Sequence, residues 1–283
     1  MKALNLAGIH KNNASIKEYF IRNAISQGEI EAIVHPAKNG QLIVSVIING
    51  TEVRLNSAYR PEEEVNRWIK KYELPENEHV GILYGLGNGL CAKAVIDRLE
   101  EKDCLIIYEP SIAILSSVLE QIDLRTILEK PNVYLIVPDI NGSMFQQLLY
   151  EKLDFDNIEG FVVFEHPQYA NIFTSNYEEY RKLILDCVDS KVVDRNTKTI
   201  LGEKFVQNIL YNTKYYDEVY DIKELKKLLP TDYPYIIVAA GPSLDLNVDQ
   251  LKHVKGKAVI ACVDRALGTL KEYGIEPDLV FAI

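Results

Sequence analysis

The segment Tyr235-Ile-Ile-Val-Ala-Ala-Gly-Pro-Ser-Leu244 constrains the fold of this chain more than any other. Its short apolar run, rich in β-branched residues, reads as a buried strand of an α/β sheet. The Gly-Pro-Ser break falls where that strand must end, and open α/β sheets bind ligands in the crevice outside the carboxyl ends of their strands. Gly241 permits close backbone approach and positive φ, Pro242 fixes the turn, and Ser243 offers a hydroxyl and a backbone N–H. Together they suit a phosphate oxygen. The same residues equally suit a tight strand-to-helix turn that binds nothing.

A second strand-loop-helix unit lies upstream. His79-Val-Gly-Ile-Leu-Tyr84 runs into Gly85-Leu-Gly-Asn-Gly89, then a helix to about Leu99, then the strand Cys104-Leu-Ile-Ile-Tyr-Glu109. Three glycines at Gly85, Gly87 and Gly89, with Glu109 at the end of the next strand, form the layout of a nucleotide or S-adenosylmethionine site. The glycines allow close approach and the carboxylate can accept ribose hydroxyls. The layout is also how a strand turns tightly into a helix, so both readings stand.

Around these units the pattern alternates. Helical spacing over 15–26 leads into strands at 30–35, 41–48 and 51–55, the last two joined by Asn49-Gly50, the strongest short hairpin signal. Pro61 followed by three glutamates predicts a helix N-terminus, with the helix running to about Tyr72. Beyond Glu109, helices at 111–119 and 143–153 alternate with strands at 133–137 and 160–164, which implies βαβ units and a parallel sheet. Residues 177–189, 197–211 and 222–229 read as helices bridging to a second α/β unit. That unit holds the strand from Tyr235, a weak helix at 248–253, a strand at 258–263, a helix at 265–273 and a strand at 278–283. The fold class expected is α/β: an N-terminal Rossmann-like domain over 1–190 with a small antiparallel element, a helical bridge, and the start of a second Rossmann-like domain over 191–283. Two or three strands are few for a stable sheet, so the second domain is expected to be incomplete and the sequence a piece of a longer one.

Composition narrows the function. A net charge of −10 with no cluster of Lys and Arg argues against a nucleic-acid partner, since phosphate neutralisation needs clustered cations. The longest largely apolar run, 42–48, is far too short to span a bilayer, and the N-terminus lacks the apolar core of a signal peptide. Cys91, Cys104, Cys187 and Cys262 stand singly, without CxxC spacing, and read as buried thiols of a reducing, cytoplasmic compartment. The five histidines, His10, His35, His79, His166 and His253, show no metal-ligand spacing, so no metal site is expected. The close set Tyr211, Tyr215, Tyr216 and Tyr220 reads as packing with polar tips, although such rings can line a sugar pocket.

Three segments, Ile236-Ile-Val-Ala-Ala-Gly-Pro-Ser-Leu244, Ala258-Val-Ile-Ala-Cys-Val-Asp-Arg-Ala-Leu267 and Gly274-Ile-Glu-Pro-Asp-Leu-Val280, resemble the MptE-like central domain of the Maf family, the motility-associated factors. Leu55-Asn-Ser-Ala-Tyr-Arg-Pro-Glu-Glu-Glu64, Tyr84-Gly-Leu-Gly-Asn-Gly89 and Tyr108-Glu-Pro-Ser111 resemble that family's N-terminal domain. Asn196-Thr-Lys-Thr-Ile-Leu-Gly-Glu-Lys-Phe-Val-Gln-Asn208 resembles the start of the central domain. The resemblance implies a cytoplasmic glycosyltransferase that moves a nonulosonic, sialic-acid-like sugar from a CMP-activated donor to Ser or Thr of flagellin, with no tightly bound cofactor. The Gly-Pro-Ser-Leu turn also resembles the CMP-binding turn of certain bacterial sialyltransferases, which implies that Gly241, Pro242, Ser243 and Leu244 cradle the donor phosphate and ribose with Asp264 near the nucleotide; the catalytic base is expected beyond residue 283. The same domain is similar to archaeal enzymes that transfer diphosphate to a hydroxymethylpterin, which gives a second reading. A non-catalytic flagellin-binding module is a third, and a methyltransferase built on Gly85 to Glu109 a fourth.

Overall fold

The computed structural model describes residues 1–23, 30–74, 79–154, 161–218, 222–229 and 232–282. Positions 24–26 of the first expected helix, and Gly160, Tyr220 and Ile283, lie outside the described residues. The chain divides into two compact units, Met1–Glu203 and Lys204–Ile283. Both this boundary and the expected one at 190/191 fall inside one helix, Thr174–Asn212.

Unit 1 opens with helices α1 (Lys2–Gly8) and α2 (Ala14–Arg22). Strands β1 (Glu31–Pro36), β2 (Leu42–Ile48) and β3 (Thr51–Arg54) then form an antiparallel sheet in that order. Ile48 pairs with Thr51 across Asn49-Gly50, whose φ values of 50° and 77° are the left-handed pair that a two-residue hairpin turn requires. Helix α3 (Pro61–Ile69) starts on Pro61, with Glu62, Glu63 and Glu64 in its first turn against the positive end of the helix dipole. It buries Val65, Trp68 and Ile69, and the Trp68 indole N–H donates to the Glu165 carbonyl at 2.8 Å.

The main sheet of unit 1 has four parallel strands, β4 (Val80–Tyr84), β5 (Cys104–Tyr108), β6 (Val133–Ile136) and β7 (Phe161–Glu165), in the order β6-β5-β4-β7. Strand β4 is buried along its whole length and β5 nearly so, as expected of parallel strands covered on both faces. Helix α4 (Leu90–Ile96) follows β4, α5 (Ile112–Gln121) and α6 (Arg125–Leu128) follow β5, and α7 (Pro138–Asn141) and α8 (Ser143–Lys152) follow β6. Ser111 caps α5, its hydroxyl accepting from the Ile114 N–H at 3.3 Å. The chain steps outward from β4 to β6 and returns to the far side of β4 as β7. The strand order therefore reverses between β4 and β7, the kind of point where α/β sheets hold ligands. A short helix α9 (Tyr169–Ile172) follows β7.

Helix α10 (Thr174–Asn212) is one element of 39 residues where the sequence pattern predicts two helices. Positions 190–196 break the apolar spacing but contain neither Gly nor Pro, so nothing in the backbone chemistry ends the helix there. Helix α1, which the sequence reading does not anticipate, is pinned by the buried Asn5. Its amide donates to the Leu119 and Ile122 carbonyls at 2.8 and 2.7 Å and accepts from the Leu124 N–H at 2.9 Å.

Unit 2 contains α11 (Ile222–Leu228), β8 (Tyr235–Val238), α12 (Pro242–Leu251), β9 (Val259–Val263), α13 (Asp264–Glu272) and β10 (Leu279–Phe281). Its three strands are parallel, in the order β10-β9-β8. Helix α12 begins at Pro242 and not at Val248, because proline is favoured at the first helical position, where its missing N–H costs nothing. Val238, Ile260 and Cys262 pack on one face of the sheet with Val248, Ala266 and Leu270. On the other face Ile237 is 83% exposed. Among the described residues no helix is long and apolar enough to cross a membrane.

Candidate functional site

The two glycine loops occupy equivalent places in their units. Each follows a parallel strand and opens a helix, and in each unit a carboxylate stands just after the adjacent parallel strand: Glu109 in unit 1 and Asp264 in unit 2. Their environments are opposite.

In unit 1 the loop is closed. Gly85, Gly87 and Gly89 have φ values of 92°, 53° and 85°, so all three use the left-handed conformation that glycine tolerates. A Cβ on Gly85 would stand 2.5 Å from the ring of Tyr169, and one on Gly87 would stand 2.9 Å from Nε2 of His166. A Cβ on Gly89 would meet the Leu124 side chain at 2.8 Å. Each glycine is thus approached by a side chain of this protein. Glu109 is fully buried, and its carboxylate accepts from the Leu86 N–H at 2.9 Å, the Ser111 N–H at 2.9 Å and the Tyr169 hydroxyl at 2.7 Å. The Tyr169 oxygen in turn accepts from the Gly87 N–H at 2.9 Å. Burial pushes the Glu109 carboxyl up to about 7 despite these donors. Burial likewise drives His166 down to about 3, so its ring is neutral. The Asn56 amide approaches His166 Nε2 at 3.5 Å.

The carboxyl end of the sheet is otherwise walled by aromatic rings. Tyr84 and Tyr108, the last residues of β4 and β5, stack at 5.8 Å, and Tyr180 lies 4.7 Å from the first and 5.0 Å from the second. The Tyr84 hydroxyl donates to Asn176 at 3.0 Å, and the Tyr177 hydroxyl donates to the Glu165 carboxylate. Burial raises the thiols of Cys91, Cys104, Cys187 and Cys262, with Cys104 at about 11, so the four free cysteines are protonated.

In unit 2 the loop is open. Gly241 has φ −119° and ψ 163°, an extended conformation, so the positive φ suggested by the sequence is not used there. A Cβ at Gly241 would meet only the Ser243 hydroxyl, at 3.8 Å. The Leu244 N–H closes the first turn onto the Gly241 carbonyl at 2.9 Å. Ser243 is exposed, and its hydroxyl makes no hydrogen bond among the described residues. Asp264 is also exposed and starts α13, accepting from the Arg265 N–H at 2.7 Å. Val238 pairs with Cys262, which sets Gly241–Leu244 and Asp264 at the same end of the sheet.

The structure therefore gathers Gly85, Gly87 and Glu109 into one cluster, and brings Gly241, Pro242, Ser243 and Leu244 to the same sheet end as Asp264. Sequence reasoning missed Tyr169. The sequence pattern marks His166 only as one of five scattered histidines. Neither residue belongs to a motif, and their roles arise from β7 lying beside β4.

Residues 204–283 match the family model described as 6-hydroxymethylpterin diphosphokinase MptE-like. None of the curated proteins compared matches the chain. Among solved structures, fibrillarin from Aeropyrum pernix, crystallised with natively bound S-adenosyl-L-methionine, aligns with 55% of this chain and 72% of its own, at 18% identity and a TM-score of 0.26. The Maf glycosyltransferase from Magnetospirillum magneticum AMB-1 aligns with 99% of this chain at 15% identity and a TM-score of 0.55, and the chain spans 48% of that structure's length. Over nearly all its length the chain has the fold of part of that Maf glycosyltransferase, with its MptE-like match in residues 204–283.

Proposed function

We propose that this chain includes part of a Maf-type glycosyltransferase, which transfers a nonulosonic sugar from a CMP-activated donor to Ser or Thr hydroxyls of flagellin in the bacterial cytoplasm. The observation that carries this reading is the open Gly241–Leu244 turn at the start of α12, with Asp264 at the end of the adjacent parallel strand. The Ser243 N–H at the start of α12, on the positive end of the helix dipole, favours a phosphate without any net positive charge, which reconciles an acidic chain with an anionic donor. Ser243 would bind the donor phosphate, and Asp264 would accept the ribose hydroxyls. In the transfer, the bond from the sugar's anomeric carbon to the CMP phosphate oxygen breaks. The acceptor oxygen bonds to that carbon, its proton passes to a base, and CMP departs. The likeness to the Maf fold supports this reading.

A second reading, diphosphate transfer to a hydroxymethylpterin, is favoured by the family match over residues 204–283. Calorimetric titration of CMP, with ATP and the pterin as controls, separates the two. The expected result is CMP binding that is lost in Ser243→Ala and in Gly241→Trp. Binding of ATP and pterin without CMP overturns the glycosyltransferase reading. Retention of flagellin with no nucleotide bound favours a non-catalytic module.

A further inference from the structure

We infer that Tyr169 fills the ribose position of the glycine loop in unit 1, so that this loop holds a side chain of its own chain where an open α/β sheet holds a nucleotide. In nucleotide-binding βαβ units the carboxylate after the second strand accepts a ribose hydroxyl, and the glycine loop approaches the ligand through backbone N–H groups. Here one phenol oxygen makes both kinds of contact, donating to Glu109 at 2.7 Å and accepting from the Gly87 N–H at 2.9 Å. The ring of the same residue lies against Gly85, where a Cβ would be 2.5 Å away. Close approach, the usual reason for a glycine beside a ligand, is therefore used up by Tyr169.

The position in the fold agrees. Tyr169 follows β7, and β4 and β7 flank the point where strand order reverses. The neighbouring crevice is closed by the rings of Tyr84, Tyr108 and Tyr180, two of them fully buried and Tyr108 only 5% exposed. Glu109 has no surface facing solvent. The layout that reads as a cofactor site in sequence thus serves as a closed framework, in contrast to the exposed turn of unit 2.

The test uses the whole chain. S-adenosylmethionine and adenosine are titrated into the wild type and Glu109→Gln, and no binding that depends on Glu109 is expected. One-to-one binding abolished by Glu109→Gln overturns the proposal. In parallel, Tyr169→Gly is heated with and without p-cresol or toluene. The variant keeps a cavity with one acceptor, Glu109, and one donor, the Gly87 N–H, so p-cresol is expected to raise its Tm by several degrees and toluene by much less. Equal effects, or no effect on a folded variant, overturn the proposal. If Tyr169→Gly does not fold, hydrogen exchange of the Gly87 amide in Tyr169→Phe decides. At least tenfold faster exchange than in wild type is expected, and an unchanged rate overturns the assignment.

Discussion

The hydroxyl of Tyr169 donates to the carboxylate of Glu109 at 2.7 Å across a site from which water is excluded, 60 residues away along the chain. Removing that one oxygen in Tyr169→Phe leaves the buried carboxylate short of a donor and takes from the Gly87 N–H the oxygen it donates to at 2.9 Å. A buried group left unpaired costs about 1–3 kcal/mol. Urea unfolding of Tyr169→Phe should show a midpoint lowered by a corresponding amount with an unchanged m-value. An unshifted midpoint would mean that neither group depends on the phenol.

The two glycine loops should respond oppositely to alanine. Gly85→Ala forces a methyl group to within 2.5 Å of the Tyr169 ring at φ 92°, so both the contact and the backbone are unfavourable. Steric strain of this kind places the substitution in the severe class, at roughly 3 kcal/mol or more. Gly241→Ala meets nothing closer than 3.8 Å at an ordinary φ and should change stability by about 0.5 kcal/mol or less. Thermal unfolding of the pair checks both, and an equal loss of Tm would contradict the contrast.

The features legible in the sequence are those set by neighbours along the chain. The Asn49-Gly50 hairpin, the proline start of α3 and the carboxylates closing β5 and following β9 all follow from local chemistry. Asn49 and Gly50 declare their turn because few residues tolerate positive φ. The occupant of the unit 1 loop was illegible for the opposite reason. Tyr169 comes from a segment with no motif, and its meeting with Gly85 depends on β7 pairing with β4. The unbroken α10 is not legible because loss of apolar spacing at 190–196 resembles a linker, whereas that stretch holds no Gly or Pro to stop a helix.

Helix α1 was missed for a similar long-range reason, and it supplies a test of what holds it. Asn5 makes its contacts with Leu119, Ile122 and Leu124, more than a hundred residues away, and no local signal predicts them. Asn5→Ala leaves two carbonyls and one N–H unsatisfied in a buried setting. The cost should be about 2–4 kcal/mol in denaturant unfolding, summing a few unmade hydrogen bonds. Asn12→Ala, at an exposed contact with the Pro131 carbonyl, should cost under about 1 kcal/mol. Similar losses for the two variants would show that burial does not set the energy.

Glu109 and His166 carry opposite pH dependences that overlap. Burial holds Glu109 up at about 7 against an ordinary 4.5, so between those values the folded chain keeps a proton that the unfolded chain has released. Its contribution to stability is therefore lost as pH rises from 4.5 to 7. Burial holds His166 down at about 3 against 6.5, so in that range the unfolded chain binds a proton that the folded chain excludes. Its contribution is lost as pH falls below 6.5. Each proton corresponds to a slope of about 1.4 kcal/mol per pH unit, and between pH 4.5 and 6.5 the two slopes cancel. Asp103, Asp123 and Asp278 have carboxyls held below their ordinary 3.8 and titrate under this window. Wild-type stability should accordingly be nearly flat from pH 5 to 6.5. Glu109→Gln should gain stability with rising pH over the same range, and His166→Asn should lose it. The check is chemical unfolding at half-unit pH steps. A Glu109→Gln profile parallel to wild type would mean that Glu109 is already ionised in the folded chain at pH 5, and that the closed site of unit 1 holds a charge.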